Sequence, residues 1–180
     1  MSAVSRRYAK ALFALAKERD VLGPTADEVE RVAAVAADPA VAPVLASPLL
    51  APKRRHELVR TLVQELALSD LLARFLGLLA DHQRLAELPA IAQYFRDLLD
   101  RELGRVRVAI RGAMPLSPSQ ENAIVAAFAK RTGKQVLPQV TIDPDLLGGV
   151  VVEVEGTVYD GSLRTQLDRL AKTLAGTASL

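Results

Sequence analysis

Residues 148–167 read GGVVVEVEGTVYDGSLRTQL, and this stretch has features of both a phosphate-binding loop and a β-hairpin. A P-loop needs Gly-x-x-x-x-Gly-Lys-[Ser/Thr], because its backbone N–H groups surround the phosphates while the lysine neutralises their charge. Gly156 and Gly161 have the required spacing, but Ser162 stands where the lysine should be. Glu153 and Glu155 would also repel a nucleotide. We therefore favour structural roles for the glycines, with a small phosphate- or nucleotide-handling enzyme as the alternative.

If the glycines have structural roles, each turn residue in this stretch can be explained. Gly148 and Gly149 lie where a turn enters a strand, so they provide backbone freedom or room for a neighbouring element. Gly156 suits a tight hairpin with positive φ. The segment Asp160-Gly161-Ser162 lies where a strand turns into a helix, and Asp160 or Ser162 is predicted to cap that helix.

The residues preceding this stretch predict a small α/β domain. Residues 105–112, RVRVAIRG, alternate apolar and basic side chains as a half-buried strand does. Ser117 then begins a helix with a capping box, and Gly133 ends it. The next strand contains Pro138, which indicates an edge position. With the valine-rich strand, the hairpin and a last helix, the predicted order for residues 106–180 is β-α-β-β-β-α.

Residues 1–105 have helical periodicity that predicts about six helices. The breaks between them are Gly23-Pro24, Asp38-Pro39, Ser47-Pro48, Ala67 to Ser69 and Leu88-Pro89. Two of the helices, residues 4–21 and 69–82, are apolar on nearly every side. Such a helix is either fully enclosed in a bundle or presents a second face to a partner, and both explanations stay open. Gly77 lies in the middle of the second of them, which suggests that another backbone passes close to it. The fold class is therefore α+β, a helical bundle followed by a small α/β domain.

Composition excludes several kinds of function. The chain has 180 residues, no cysteine and a net charge of +2, so disulfides and thiolate metal sites are excluded and charge does not indicate a nucleic-acid partner. His56 and His82 lack metal-ligand spacing, and we predict neither metal nor cofactor. No apolar run reaches the length of a membrane-spanning helix.

Two further groups could carry chemistry, and we favour a structural role for both. Asp143 and Asp145 could form an acid and base pair, but they flank a proline in a turn, where aspartate is common. Lys53, Arg54 and Arg55 could contact phosphates as in a nucleic-acid module, but no aromatic residues accompany them, which favours a solvated face. Their role stays open, and a contact with an acidic partner surface is one alternative.

Two segments together resemble a known family. The segments RRYAKALFALA near the start and DPDLLGGVVVEVEGTVYDGSLRTQLDRL near the end resemble the delta subunit of bacterial F-type ATP synthases, the counterpart of the mitochondrial oligomycin-sensitivity-conferring protein. The resemblance runs from about Arg6 to Leu174. It implies a non-catalytic stator subunit, present once per complex, that keeps the catalytic head from turning with the rotor. It also implies a peripheral location on the cytoplasmic face of the bacterial plasma membrane.

The resemblance further implies which partners each domain binds. Residues 1–105 would hold the N-terminal helix of an alpha subunit between the first and fifth helices, which are the two unusually apolar ones. The residues that this implies are Tyr8, Ala11, Leu12, Leu15, Leu72, Leu76, Gly77 and Leu79. Residues 106–180 would bind the C-terminal end of the b-subunit stalk, through the hairpin residues Thr157, Val158 and Tyr159 and the adjacent last helix.

Overall fold

The computed structural model describes residues 2–47 and 49–167, which form an α+β protein. The chain divides into two compact units, Met1–Leu99 and Asp100–Leu180. Within the described residues, six α-helices and a short 3-10 turn precede the first strand. These elements are α1 (Ala3–Glu18), α2 (Leu22–Ala36), α3 (Ala42–Ala46), α4 (Pro52–Glu65), α5 (Asp70–Asp81), the 3-10 turn Leu85–Glu87 and α6 (Leu88–Glu102).

The first helix boundary differs from the expected one. The sequence places a break at Gly23-Pro24, but both residues lie in the first turn of α2. Proline is tolerated there because the first N–H groups of a helix have no partner within the helix. The break occurs earlier, at Asp20, whose backbone takes a positive φ of 56°. The prediction was wrong because Gly-Pro also suits a helix start.

The core of the helical unit consists of aliphatic and aromatic side chains from most of its helices. Leu12 of α1, Leu76 and Leu79 of α5, and Ile91 and Phe95 of α6 are all at most 1% exposed. Each fully buried side chain of this size contributes about 1.5–3 kcal/mol to folding. The packing of these amphipathic helices, more than their intrinsic propensity, therefore stabilises the unit.

The second unit is built around a four-stranded mixed sheet in the order β2-β1-β3-β4. β1 is parallel to β2 and antiparallel to β3, and β3 is antiparallel to β4. Helix α7 connects the two parallel strands. The elements are β1 (Arg105–Gly112), α7 (Pro118–Thr132), β2 (Gln135–Ile142), the 3-10 turn Pro144–Leu146, β3 (Val150–Val154) and β4 (Thr157–Asp160).

One face of the sheet is covered by α7. Val108 and Ile110 of β1 are completely buried, and they pair in register with Val154 and Val152 of β3. From α7, the side chains that pack on this face are Ile124, Val125, Phe128 and Ala129. The sequence pattern places Ala123 and Ala127 on one helix face with Ile124 and Phe128, but both alanines are exposed. The amphipathic stripe of α7 is therefore rotated by about one residue relative to the predicted one.

The helix caps and the edge strand of this unit lie where the sequence predicts them. Ser117 and Gln120 form the predicted capping box of α7, and Gly133 ends the helix with a positive φ of 66°. Pro138 lies in β2, which is an edge strand. After β4, residues 163–167 are helical, so Leu163 and Leu167 of the predicted last helix are described. Leu170 and Leu174 lie outside the described residues.

Candidate functional site

Helices α1 and α5 of the first unit contact each other through aromatic side chains. The ring of Tyr8 meets the ring of Phe75 edge to face, with 6.3 Å between centroids and 75° between ring planes. The guanidinium of Arg7 lies 5.7 Å from the Tyr8 ring centroid on the solvent side of α1. Tyr8 is itself only half-buried, so it forms part of the surface where the two helices meet.

Half of the residues implied for the alpha-subunit contact belong to the interior of the unit. Leu12, Leu72, Leu76 and Leu79 are at most 1% exposed and lie in the helical core. In this structure they fix the spacing of α1 and α5 and do not reach solvent. The sequence pattern could not separate these roles, because an apolar stripe looks the same whether it faces a core or a partner.

The exposed apolar side chains of α1 and α5 are fewer than the residues implied for the alpha-subunit contact. On α1, Ala11 is exposed and Leu15 is 43% exposed. On α5, Leu78 is 45% exposed and lies three residues after Phe75, on the same helix stripe. We call Tyr8, Ala11, Leu15 and Leu78 the α1–α5 surface. Leu78 is not among the residues implied for the alpha-subunit contact, although the sequence shows a second apolar face on its helix.

Gly77 has a different setting from the expected one. A Cβ atom built on it would meet nothing within 4 Å, so no backbone passes close to it and that prediction was wrong. Instead, Gly77 lines a cavity of about 280 Å³ between α5 and α4. The missing side chain leaves this cavity open, and the other residues that line it are His56, Val59, Arg60, Val63, Gln64 and Ala73.

The β3–β4 hairpin presents the residues implied for the b-stalk contact. Glu155 and Gly156 form its two-residue turn with positive φ values of 49° and 82°, as a tight hairpin requires. Thr157 is exposed and Val158 is 54% exposed. Tyr159 is half-buried.

Tyr159 is held in place by α7. Its ring lies edge to face with Phe128, with centroids 5.3 Å apart, and Arg131 stacks over it at 4.8 Å from the centroid. Aromatic pairs of this kind add about 0.5–1.5 kcal/mol beyond the area they bury. The hairpin is therefore anchored on one side, and of the three residues implied for the b-stalk contact Thr157 and Val158 are the accessible ones.

In the loop that resembles a phosphate site, backbone N–H groups donate hydrogen bonds to acceptors within the protein. The Gly161 N–H donates to the Val150 carbonyl at 3.0 Å, and the Ser162 N–H donates to Asp160 Oδ1 at 2.9 Å. Ser162 Oγ in turn accepts from the Thr165 N–H at 3.3 Å, so Ser162 caps the helix as predicted. These N–H groups are therefore already paired, and the Asp160 carboxylate beside them would repel a phosphate.

Gly148 and Gly149 are required for close packing against this same loop. A Cβ on Gly148 would lie 2.5 Å from the side chain of Leu163. A Cβ on Gly149 would lie 2.4 Å from the Gly161 carbonyl oxygen. The expectation that these glycines make room for a neighbouring element is confirmed, and the neighbour is the turn between β4 and the following helical residues.

Several members of the remaining candidate groups have structural partners. Asp143 accepts the Asp145 N–H at 3.2 Å and pairs with Arg111 at 3.4 Å. Arg54 pairs with Glu57 at 3.1 Å, and the ring of His56 lies 2.9 Å from Asp81. Within residues 2–47 and 49–167, no group of three or more histidine or acidic side chains is arranged to hold a metal ion. A membrane-crossing helix is likewise not found among the described residues, since none is both long and apolar enough.

Fold and surfaces together define a class of protein, namely a two-unit α+β protein whose exposed apolar positions suit protein partners. The family described as "ATP synthase delta (OSCP) subunit" matches residues 4–174. The chain belongs to this family, whose members are structural and not catalytic subunits of the F-type ATP synthase.

Relatives and solved structures agree with this membership. ATP synthase subunit delta of Anaeromyxobacter dehalogenans (strain 2CP-1 / ATCC BAA-258) is 42% identical, over 97% of this chain and 98% of that one. The subunit delta of Trichlorobacter lovleyi is 38% identical, over 94% of each. A chain of the Toxoplasma gondii mitochondrial ATP synthase hexamer, solved by cryo-EM, is similar with a TM-score of 0.74 and 28% identity, over 97% of this chain and 98% of that one.

Proposed function

We propose that the chain, a non-catalytic stator subunit of an F-type ATP synthase, joins the catalytic head to the peripheral stalk through two separate surfaces. One surface lies on the helical unit and binds the N-terminal helix of an alpha subunit. The other lies on the C-terminal unit and binds the C-terminal end of the b subunit. A subunit bound to both stops the head from turning with the rotor during ATP synthesis.

The α1–α5 surface carries the first half of this proposal. Its apolar side chains come from two adjacent helices, an arrangement that suits an amphipathic helix laid along them. Binding energy in such contacts concentrates in a few central residues, most often aromatic ones. Tyr8 is the natural anchor, because Phe75 holds its ring while part of the ring stays accessible. The buried leucines of α1 and α5 contribute by fixing the two helices in position.

The β3–β4 hairpin supports the second half. Val158 is exposed on a turn whose neighbour, Tyr159, is anchored on α7. Leu163 and Leu167, 48% and 58% exposed, follow in the helical residues after the hairpin. Three exposed aliphatic side chains close together in sequence suit an apolar stalk helix better than solvent.

Location and stoichiometry follow from the family. As a subunit of a membrane-associated complex, the chain would act peripherally, one copy per complex, on the cytoplasmic face of the bacterial plasma membrane. The bacterial origin of the delta subunits that share about 40% identity supports this location.

The proposal is tested by titrating a synthetic peptide of the alpha-subunit N-terminus into the full chain and its variants. Ala11→Leu would obstruct the α1–α5 surface and Leu78→Asp would charge it, and each should weaken binding by about 1–3 kcal/mol. Leu49→Asp is the matched control, because Leu49 is 92% exposed and lies outside that surface. Lys53→Ala tests the basic cluster in the same way.

Circular dichroism establishes that each variant is folded before its affinity is compared. Unchanged binding in folded Ala11→Leu and Leu78→Asp, with loss in Lys53→Ala, would move the alpha-subunit site to the basic cluster. ATP titrated into the same chain should show no saturable binding. Saturable binding with hydrolysis would contradict a purely structural subunit.

A further inference from the structure

Arg55 differs from the other basic residues at the start of α4. Lys53 and Arg54 are exposed, and Arg54 has Glu57 as its ion-pair partner. Arg55 is only 6% exposed, yet no described residue accepts a hydrogen bond or forms an ion pair with its guanidinium. Burying a charged group without a partner is unfavourable, and proteins rarely retain one without a use for it.

The Arg55 side chain lies in the wall of a cavity of about 250 Å³. The residues that share this cavity with Arg55 of α4 come from the end of α3 and from the segment between α5 and α6, and they are Leu45, Ala46, Ser47, Gln83, Leu85 and Ala86. Among the described residues no fully enclosed side-chain nitrogen or oxygen lacks a partner, so the guanidinium nitrogens of Arg55 retain contact with open space. Arg55 is therefore a buried cation in the wall of this cavity.

The composition of the cavity wall indicates which ligand would fit. Among the lining residues that the structure describes, Arg55 supplies the only charged side chain and none carries a carboxylate. Ser47 contributes a hydroxyl, which accepts the Leu49 N–H at 3.3 Å and still has its proton to donate, and Gln83 contributes an amide. The other lining side chains are apolar. A single positive charge in apolar surroundings balances one negative charge but not two.

We propose that this cavity, which we call the Arg55 cavity, binds the carboxylate of a small monocarboxylic acid with a short apolar chain. The planar guanidinium fork matches a carboxylate with two parallel hydrogen bonds. Leu45, Leu85 and the two alanines would cover the apolar chain. This site shares no residue with the α1–α5 surface or the β3–β4 hairpin. The ligand-binding proposal can therefore be wrong while the proposed stator function is right, and the stator function can be wrong while the ligand-binding proposal is right.

The test uses the full chain, with butyrate as the probe and sodium chloride as the reference at equal ionic strength. Ligands with so few atoms bind weakly, so butyrate is titrated to about 50 mM while amide NMR shifts of Ser47, Gln83 and Ala86 are followed. We expect saturable shifts in the wild type and in Arg54→Met, the matched control. We expect them to be lost in Arg55→Met, and inorganic phosphate to bind at least tenfold more weakly than butyrate.

Several results would overturn the proposal. These are the absence of a saturable response in the wild type, the same response in folded Arg55→Met, or tighter binding of phosphate than of butyrate. If Arg55→Met does not fold, Arg55→Lys keeps the charge but loses the fork, and butyrate affinity should then fall several-fold; unchanged affinity would be evidence against the site. If Arg55→Met loses alpha-peptide binding, the ligand of Arg55 would instead be a carboxylate of that peptide, and the proposal of a free acid would be rejected.

Discussion

At the scale of single residues, Gly149 and Gly156 show two different reasons for needing glycine. Both have φ near 82°, a region that disfavours any side chain. Around Gly156 the space is open, so the backbone angle alone requires glycine. At Gly149 an added Cβ would also lie 2.4 Å from the Gly161 carbonyl oxygen, which is backbone and cannot rotate away.

This difference leads to a prediction for two alanine variants. Gly156→Ala should lower the free energy of unfolding by about 1–2 kcal/mol, the cost of the left-handed conformation. Gly149→Ala should cost about 3 kcal/mol or more, because the turn between β4 and the following residues must also move. Urea unfolding followed by circular dichroism measures both. Equal losses would show that the close approach at Gly149 is relieved without cost.

Residue roles set by local chemistry could be predicted from the sequence, and those set by distant neighbours could not. The turn at Gly156, the capping box at Ser117 and the cap at Ser162 depend on residues within a few positions, and all three predictions were confirmed. Gly77 depends on which helix passes beside α5, and the explanation for it was wrong. Arg55 carries no local sign that it is buried while Arg54 is exposed.

At the scale of elements, the start of α1 is tied to the 3-10 turn before α6. Ser2 caps α1 by accepting the Ser5 N–H at 3.1 Å, and it also donates to Glu87 at 2.9 Å. The Ser5 hydroxyl, completely buried, donates to the same carboxylate. More than 80 residues separate the partners in sequence, so the helical periodicity that predicts both elements contains no information about this contact.

The hydrogen bond from Ser5, followed by that from Ser2, lowers the pKa of Glu87. A carboxylate with a lowered folded-state pKa stabilises the protein fully above its unfolded pKa, near 4.3, and this contribution is lost as the pH falls through the folded value. In Ser5→Ala the pKa of Glu87 should rise, and the loss of stability as the pH falls below the unfolded pKa should be shallower than in the wild type.

Urea unfolding at a series of pH values measures this slope, and NMR titration of the Glu87 carboxyl carbon measures the pKa directly. Ser119→Ala is the control, because Ser119 is an exposed serine in α7 whose hydroxyl lies 3.2 Å from that of Ser117. Identical pH profiles for the wild type and Ser5→Ala would show that the buried hydroxyl does not stabilise the charged carboxylate.

At the scale of the whole molecule, each unit has a hydrophobic core of its own. The change from helical to alternating periodicity predicts a boundary between residues 105 and 106, whereas the compact units divide between Leu99 and Asp100. The difference has a physical cause in the last turn of α6. Asp100 is buried and pairs with Arg107 of β1, so this turn packs with the second unit although its sequence is helical.

Separate cores predict that the two partner-binding activities can be separated by cutting the chain. A fragment of residues 1–105 contains the whole helical core and the α1–α5 surface, so it should bind the alpha-subunit peptide within about threefold of the full chain while losing the b subunit. A fragment of residues 100–180 should bind b. It should also be more stable than residues 106–180, because removing Asp100 leaves the Arg107 guanidinium without its partner.

Isothermal titration of each fragment against the alpha peptide and a C-terminal b fragment measures these affinities, and circular dichroism confirms folding. Val158→Asp in residues 100–180 sharpens the assignment, since it charges the exposed hairpin and should weaken b binding with little change in stability. Should residues 1–105 retain b and lose alpha, the assignment of units to partners is reversed. If neither folded fragment binds either partner, the sites require both units together, and a link made of two independent surfaces is incorrect.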